Sequence, residues 1–101
     1  MNEKIQIEEK GNTIHIKFMD QILDGNSAEL RETLANTLEK SATEVLLDME
    51  KVVIVSSLGI SRLLSFKNKA DEKRMTVKII NIQDKLKETL KKLMLDQFFG
   101  L

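Results

Sequence analysis

Val52-Val53-Ile54-Val55-Ser56-Ser57-Leu58-Gly59-Ile60 joins two kinds of hydrophobic spacing. Up to Val55 the apolar residues are consecutive. From Ser57 onward they recur at helical intervals, with Ile60, Leu63, Leu64, Phe66 and Ala70 clustered on one side. A short apolar strand that feeds a helix is a building unit of α/β architectures. Glycine in a first helical turn disfavours the helix, so Gly59 calls for a reason, close packing being the simplest. Ser57 is expected to cap this helix by accepting the Gly59 or Ile60 N–H. Alternatively, a hydroxyl exposed at the positive helix end suits a phosphoryl group or another anion.

Outward from this junction, strands and helices alternate. Ile5 and Ile7 alternate with polar neighbours, as do Ile14, Ile16 and Phe18, and Gly11-Asn12 between them signals a hairpin. His15 points away from Ile14 and Ile16 and is expected at the surface of its strand. Asn26 is placed to cap the first helix with Glu29 reaching back, and Leu30, Leu34 and Leu38 form its stripe. Glu44 to Met49 reads as a strand apolar on both faces, hence central and mostly parallel, with Asp48 near its end. Met75, Val77 and Ile79 mark a further strand, with Ile80 and Ile82 on its other face. Asp84 is expected to cap a last helix carrying Leu86, Leu90, Leu93 and Met94. The apolar tail at Phe98 and Phe99 is expected to pack, on this domain's own core or on a partner. The order is β-β-α-β-α-β-α: one α/β domain over residues 1–101, a mixed sheet of about four strands with helices packed on it.

Composition narrows the chemistry. Sixteen basic and sixteen acidic residues cancel, which gives no global argument for nucleic acid. No cysteine is present, so disulfides, thiolate metal sites and cysteine nucleophiles are absent together. The longest apolar runs are four residues, against about 20 for a membrane-spanning helix. Met1-Asn2-Glu3-Lys4 leads into a strand pattern and does not read as a secretory signal; a cytoplasmic location is expected. The four glycines are scattered singly, so no phosphate-binding loop is visible, and a lone histidine makes neither a metal site nor a convincing triad. The expectation is a protein without enzymatic activity or cofactor.

Three motifs, taken with the element order, resemble the STAS family, which includes bacterial anti-sigma factor antagonists. They are Leu23-Asp24-Gly25-Asn26-Ser27-Ala28-Glu29-Leu30-Arg31, Val45-Leu46-Leu47-Asp48-Met49 and Ser56-Ser57-Leu58-Gly59-Ile60. The resemblance covers nearly the whole chain and implies a STAS fold. In the antagonists it resembles, the second residue of the turn, here Ser57, is phosphorylated by a partner that is both anti-sigma factor and serine kinase. The unphosphorylated form binds that partner and frees sigma, so the implied role lies in transcription regulation, and a phosphatase restores the serine. Asp24 and Asn26 stand at positions the family uses around its binding surface. The implied partner-binding set is Asp24, Asn26, Ser56, Ser57, Leu58 and Gly59, with homodimerisation left open. Ser56 stands where many antagonists carry Asp, Leu58 where Ser or Ala is usual, and Gln21 where Gly often precedes Leu-Asp. Two other roles fit the residues: a non-phosphorylated STAS scaffold or transporter-associated subunit, and a small-ligand or nucleotide sensor.

Overall fold

The computed structural model describes residues 4–101; the signal-peptide reading at residues 1–3 lies outside them. The chain runs β1 (Ile5–Lys10), β2 (Thr13–Phe18), β3 (Ile22–Leu23), α1 (Ala28–Leu38), β4 (Glu44–Asp48), β5 (Ile54–Val55), α2 (Ser57–Glu72), β6 (Thr76–Ile80) and α3 (Asp84–Lys92). Four strands form a mixed sheet in the order β1-β2-β4-β6, antiparallel between β1 and β2 and parallel elsewhere. The two-residue strands β3 and β5 form a separate parallel ladder that periodicity alone does not reveal.

The β1–β2 hairpin turns at Gly11, whose φ of +59° fits the first central position of a type II′ turn. Strand β4 is central, as its apolar run implies. Its Val45 and Leu47 lie in register with Ile14 and Ile16 of β2 and with Val77 and Ile79 of β6, one buried layer across three strands. The opposite face of β2 carries Thr13, His15 and Lys17, all half-buried. Because β1 and β6 are edge strands, Ile7 is half exposed, and Thr76 and Lys78 face solvent.

On the buried side, α2 packs against α1 and β6, contributing Leu63, Phe66 and Ala70 to a core shared with Leu30 and Leu34 of α1. The last helix departs from its expected stripe. Leu86 and Leu90 are buried, but Leu93 is 51% and Met94 84% exposed. The helix stops at Lys92, Met94 takes a positive φ of 61°, and the Leu95 N–H returns to the Leu90 carbonyl (2.9 Å). That reversal brings Phe99 into this domain's own core. Gln83, not Asp84, holds the N-cap position of α3. Asp84 is the first helical residue, where its charge complements the helix dipole.

Asp48, at the end of β4, is only 3% exposed. Its Oδ1 accepts the Glu50 N–H (3.0 Å), while Oδ2 lies 2.9 Å from His15 Nε2 and accepts from Asn81 Nδ2 (3.2 Å). His15 does lie on the outer strand face, but it is tied to a carboxylate 33 residues away. Burial pushes the Asp48 carboxyl up. The hydrogen bonds from Glu50, His15 and Asn81 outweigh burial and hold it below the ordinary carboxylate range.

Asp48→Ala should therefore cost about 1–3 kcal/mol at neutral pH, because three donors lose their acceptor. The depressed folded-state pKa means that this contribution is present above the unfolded value of about 3.9 and is lost as pH falls through the lower folded one. Urea denaturation should show the stability gap between wild type and Asp48→Asn closing below about pH 4. A gap constant with pH would contradict the network.

Candidate functional site

The short ladder exists to bring two loops together. Ile22 pairs with Ile54 and Leu23 with Val55, and the Val53 and Ile54 N–H groups both donate to the Gln21 carbonyl (2.7 and 3.1 Å). One residue on, the Ser56 N–H donates to the Leu23 carbonyl (3.0 Å). The β3–α1 loop and the β5–α2 turn thus leave the ladder side by side.

Ser56, not Ser57, caps α2. Its extended backbone (φ −66°, ψ 160°) places Oγ to accept the Gly59 N–H at 2.9 Å, and the same oxygen accepts the Gly25 N–H at 3.2 Å from the opposite loop. The second donor selects the earlier serine, because only from that position does one hydroxyl serve both loops. Ser57 becomes the first helical residue. It is exposed, and its side chain has no hydrogen-bond partner among the described residues.

The two glycines permit the approach. A Cβ on Gly25 would lie 2.6 Å from the Gly59 nitrogen and from Leu58 Cγ, and one on Gly59 would lie 2.6 Å from the Leu23 carbonyl oxygen. Neither has a positive φ, so space and not backbone conformation demands glycine here. Arg62, one turn into α2, closes the junction from the side by donating Nε–H to the Gly25 carbonyl (3.2 Å).

Asp24 shapes the first loop. Its Oδ1 accepts the Asn26 N–H (2.9 Å) and its carbonyl accepts the Ser27 N–H (3.1 Å). This turn moves the start of α1 one residue later, so Ser27 and not Asn26 is the N-cap, accepting from the Leu30 N–H (3.2 Å). Glu29 then stands at the second helical position, and the expected capping box is not formed. Asp24 and Asn26 remain exposed and line a cavity of about 420 Å³ shared with Lys4, Ile5 and Phe18.

The structure gathers the predicted residues and sorts them. Gly59 is buried and Ser56 half-buried, both holding the frame; Asp24, Asn26, Ser57 and Leu58 face outward, Leu58 with 37% of its surface exposed. The pinning roles of Gly25 and Arg62 escaped the sequence, although Asp-Gly-Asn is itself a turn signal. The first turn of α2 contains no acidic residue, so its positive dipole end is unneutralised beside Ser57. Among the described residues no three His, Asp or Glu side chains converge to hold a metal.

The model of the STAS domain family matches residues 4–101. The chain belongs to the STAS family. Solved structures share the fold at low identity. An anti-sigma factor antagonist from Mycobacterium paratuberculosis is 14% identical with a TM-score of 0.79, over 94% of this chain and 80% of that one. The Bacillus cell fate determinant SpoIIAA in its phosphorylated form is 16% identical with a TM-score of 0.70, over 92% and 86%. A sulfate transporter family protein from Wolinella succinogenes is 13% identical with a TM-score of 0.72, over 88% and 72%. No curated protein matches this STAS domain in sequence. No described helix is long and apolar enough to cross a membrane.

Ser56→Ala should lower stability by about 1–2 kcal/mol, because a cap is lost and Gly25 loses its acceptor. Gly25→Ala should cost about 1–3 kcal/mol through the forced clash with the α2 turn. Ser57→Ala should stay within about 0.5 kcal/mol of wild type. Urea midpoints rank the three, and equal losses from Ser56→Ala and Ser57→Ala would contradict the division of roles.

Proposed function

We propose that this STAS domain is an anti-sigma factor antagonist: a protein-binding switch that sequesters an anti-sigma factor/serine kinase and is released by phosphorylation at Ser57. It acts by binding and not by catalysis. Ser57 carries this reading, as an exposed and uncommitted hydroxyl at the open positive end of a 16-residue helix, next to a serine whose own hydroxyl oxygen accepts two backbone N–H groups. Asp24, Asn26 and Leu58 form the docking surface around it, with Ser56 and Gly59 as its frame. The similarity to an anti-sigma factor antagonist and to a phosphorylated SpoIIAA supports the same role.

A phosphate adds roughly −1.5 to −2 charges. At the first position of α2 it meets the helix dipole favourably, and no carboxylate in the first turn opposes it. The free domain therefore keeps its fold when phosphorylated, and release comes from the partner side, through crowding and repulsion from acidic groups or a bound nucleotide. A phosphatase reverses the switch. The cytoplasm, where kinase, ATP and sigma meet, is the matching compartment.

One observation favours a second role, constitutive docking as a scaffold or transporter-associated subunit. Ile22 and Ile54, opposite each other on the small ladder, are 57% and 56% exposed. Exposed apolar side chains of this kind mark interaction surfaces, and the fold is shared with a sulfate transporter family protein.

Incubation with an anti-sigma factor/serine kinase and ATP should add one phosphate to the intact mass of wild type and of Ser56→Ala, and none to Ser57→Ala. The phosphorylated chain should lose the partner that the unmodified chain binds. Equal binding by both forms would refute the switch and favour the scaffold.

A further inference from the structure

Two surface features of this domain are opposite in shape and in charge. The first is the cavity of about 420 Å³ beside β3 and the start of α1. Ile5, Ile22 and Ala28 give it apolar surface that solvent reaches, Ile22 being more than half exposed. Three carboxylates, Asp20, Asp24 and Glu29, line it against one cation, Lys4, whose Nζ lies 3.9 Å from Asp20. Asp24 and Glu29 form no ion pair among the described residues.

The second feature is a knob. The chain reversal after α3 leaves Leu93 exposed and makes Met94 the most exposed large apolar side chain among the described residues. Lys85, Lys87, Lys91 and Lys92 lead up to it, all exposed and none in an ion pair among the described residues. Glu88 is the one carboxylate in residues 85–95, and Asp96 follows, half-buried. Apolar side chains scattered singly need no explanation, but an adjacent pair beside unpaired lysines marks a contact surface.

We propose that the Leu93-Met94 knob of one copy seats in the cavity of a second copy, in a weak head-to-tail association. Met94 and Leu93 cover Ile5, Ile22 and Ala28, while Lys91 and Lys92 meet Asp20, Asp24 and Glu29. The cavity lies within the range of sites that enclose a ligand, about 300–1,000 Å³, so two side chains fit. No residue of α3 lines the cavity, which opens beside edge strand β1, whereas α3 follows β6 at the other edge of the sheet. The knob therefore does not fill its own cavity, and the contact is heterologous, leaving one knob and one cavity free in each pair. A second copy is the occupant that matches both features at once. An anionic bilayer would match the knob and leave the cavity unused, and a free organic cation would do the reverse. Because Asp24 and Asn26 line the same cavity, self-association excludes a partner docked there; the contact itself does not rest on that partner's identity.

Sedimentation velocity of the full chain over about 10 µM to 1 mM, the range of a small transient interface, should show concentration-dependent association. Raising salt from about 0.02 M to 0.3 M should weaken it. Met94→Ser should weaken it about tenfold, and Lys10→Glu, at the far end of β1, should leave it unchanged. Lys91→Glu/Lys92→Glu and Asp20→Lys/Glu29→Lys should each be monomeric alone, and an equimolar mixture of the two should associate again, since each reversed surface now meets its opposite. Monomeric wild type throughout, association that survives in either double variant, or a mixture that stays monomeric would each overturn the proposal.

Discussion

One side-chain oxygen holds the functional end of this molecule together. Ser56 Oγ accepts N–H groups from Gly59 in its own helix and from Gly25 in the loop before α1. The helix N-terminus has donors that need acceptors, and the Gly25 loop has a buried N–H with the same need. One hydroxyl meets both and so couples the two loops that the β3–β5 ladder sets side by side. The glycines follow from this, since only residues without a Cβ let the two backbones come close enough to share it.

That junction is in turn anchored to the sheet. The chain leaves β4 through Met49, whose N–H donates to the Ile80 carbonyl (3.0 Å), and through Glu50, whose N–H is held by buried Asp48. The Glu50 carbonyl accepts from Gln83 (2.9 Å), and the Val52 N–H closes a turn back to Met49 (3.0 Å). Val52 is completely buried. The sheet therefore fixes where β5 begins, β5 fixes Ser56, and Ser56 fixes the exposure of its neighbour. A surface serine becomes available because an adjacent, chemically identical one is consumed by structure.

Much of the architecture was legible because it rests on periodicity. The four main strands and three helices sit where their apolar residues repeat, and β4 is central because both of its faces carry apolar residues. Asp24, Asn26 and the Ser56–Gly59 turn were legible as one region only through resemblance to a family, since no local pattern states that two loops thirty residues apart meet. What stayed hidden is long-range or a matter of one residue. The β3–β5 ladder is too short to show alternation. Asn26 and Ser57 looked like caps because Asn and Ser are good ones. Ser27 and Ser56 took those places because of an Asx turn at Asp24 and a donor from Gly25, partners that only folding supplies. Leu93 and Met94 continued a helical stripe on paper, but the helix ends so that Phe99 can be buried. The side-chain partners of Asp48, His15 and Asn81, lie 33 residues away in opposite directions, beyond any motif.

Amide hydrogen exchange at Gly25 and Gly59 addresses the central constraint most directly, because both N–H groups donate to the same hydroxyl. In Ser56→Ala the two amides should lose protection together, while in Ser57→Ala both should exchange as in wild type. If Gly25 kept its protection without the Ser56 hydroxyl, or lost it without that of Ser57, the division of labour between the two serines would be wrong.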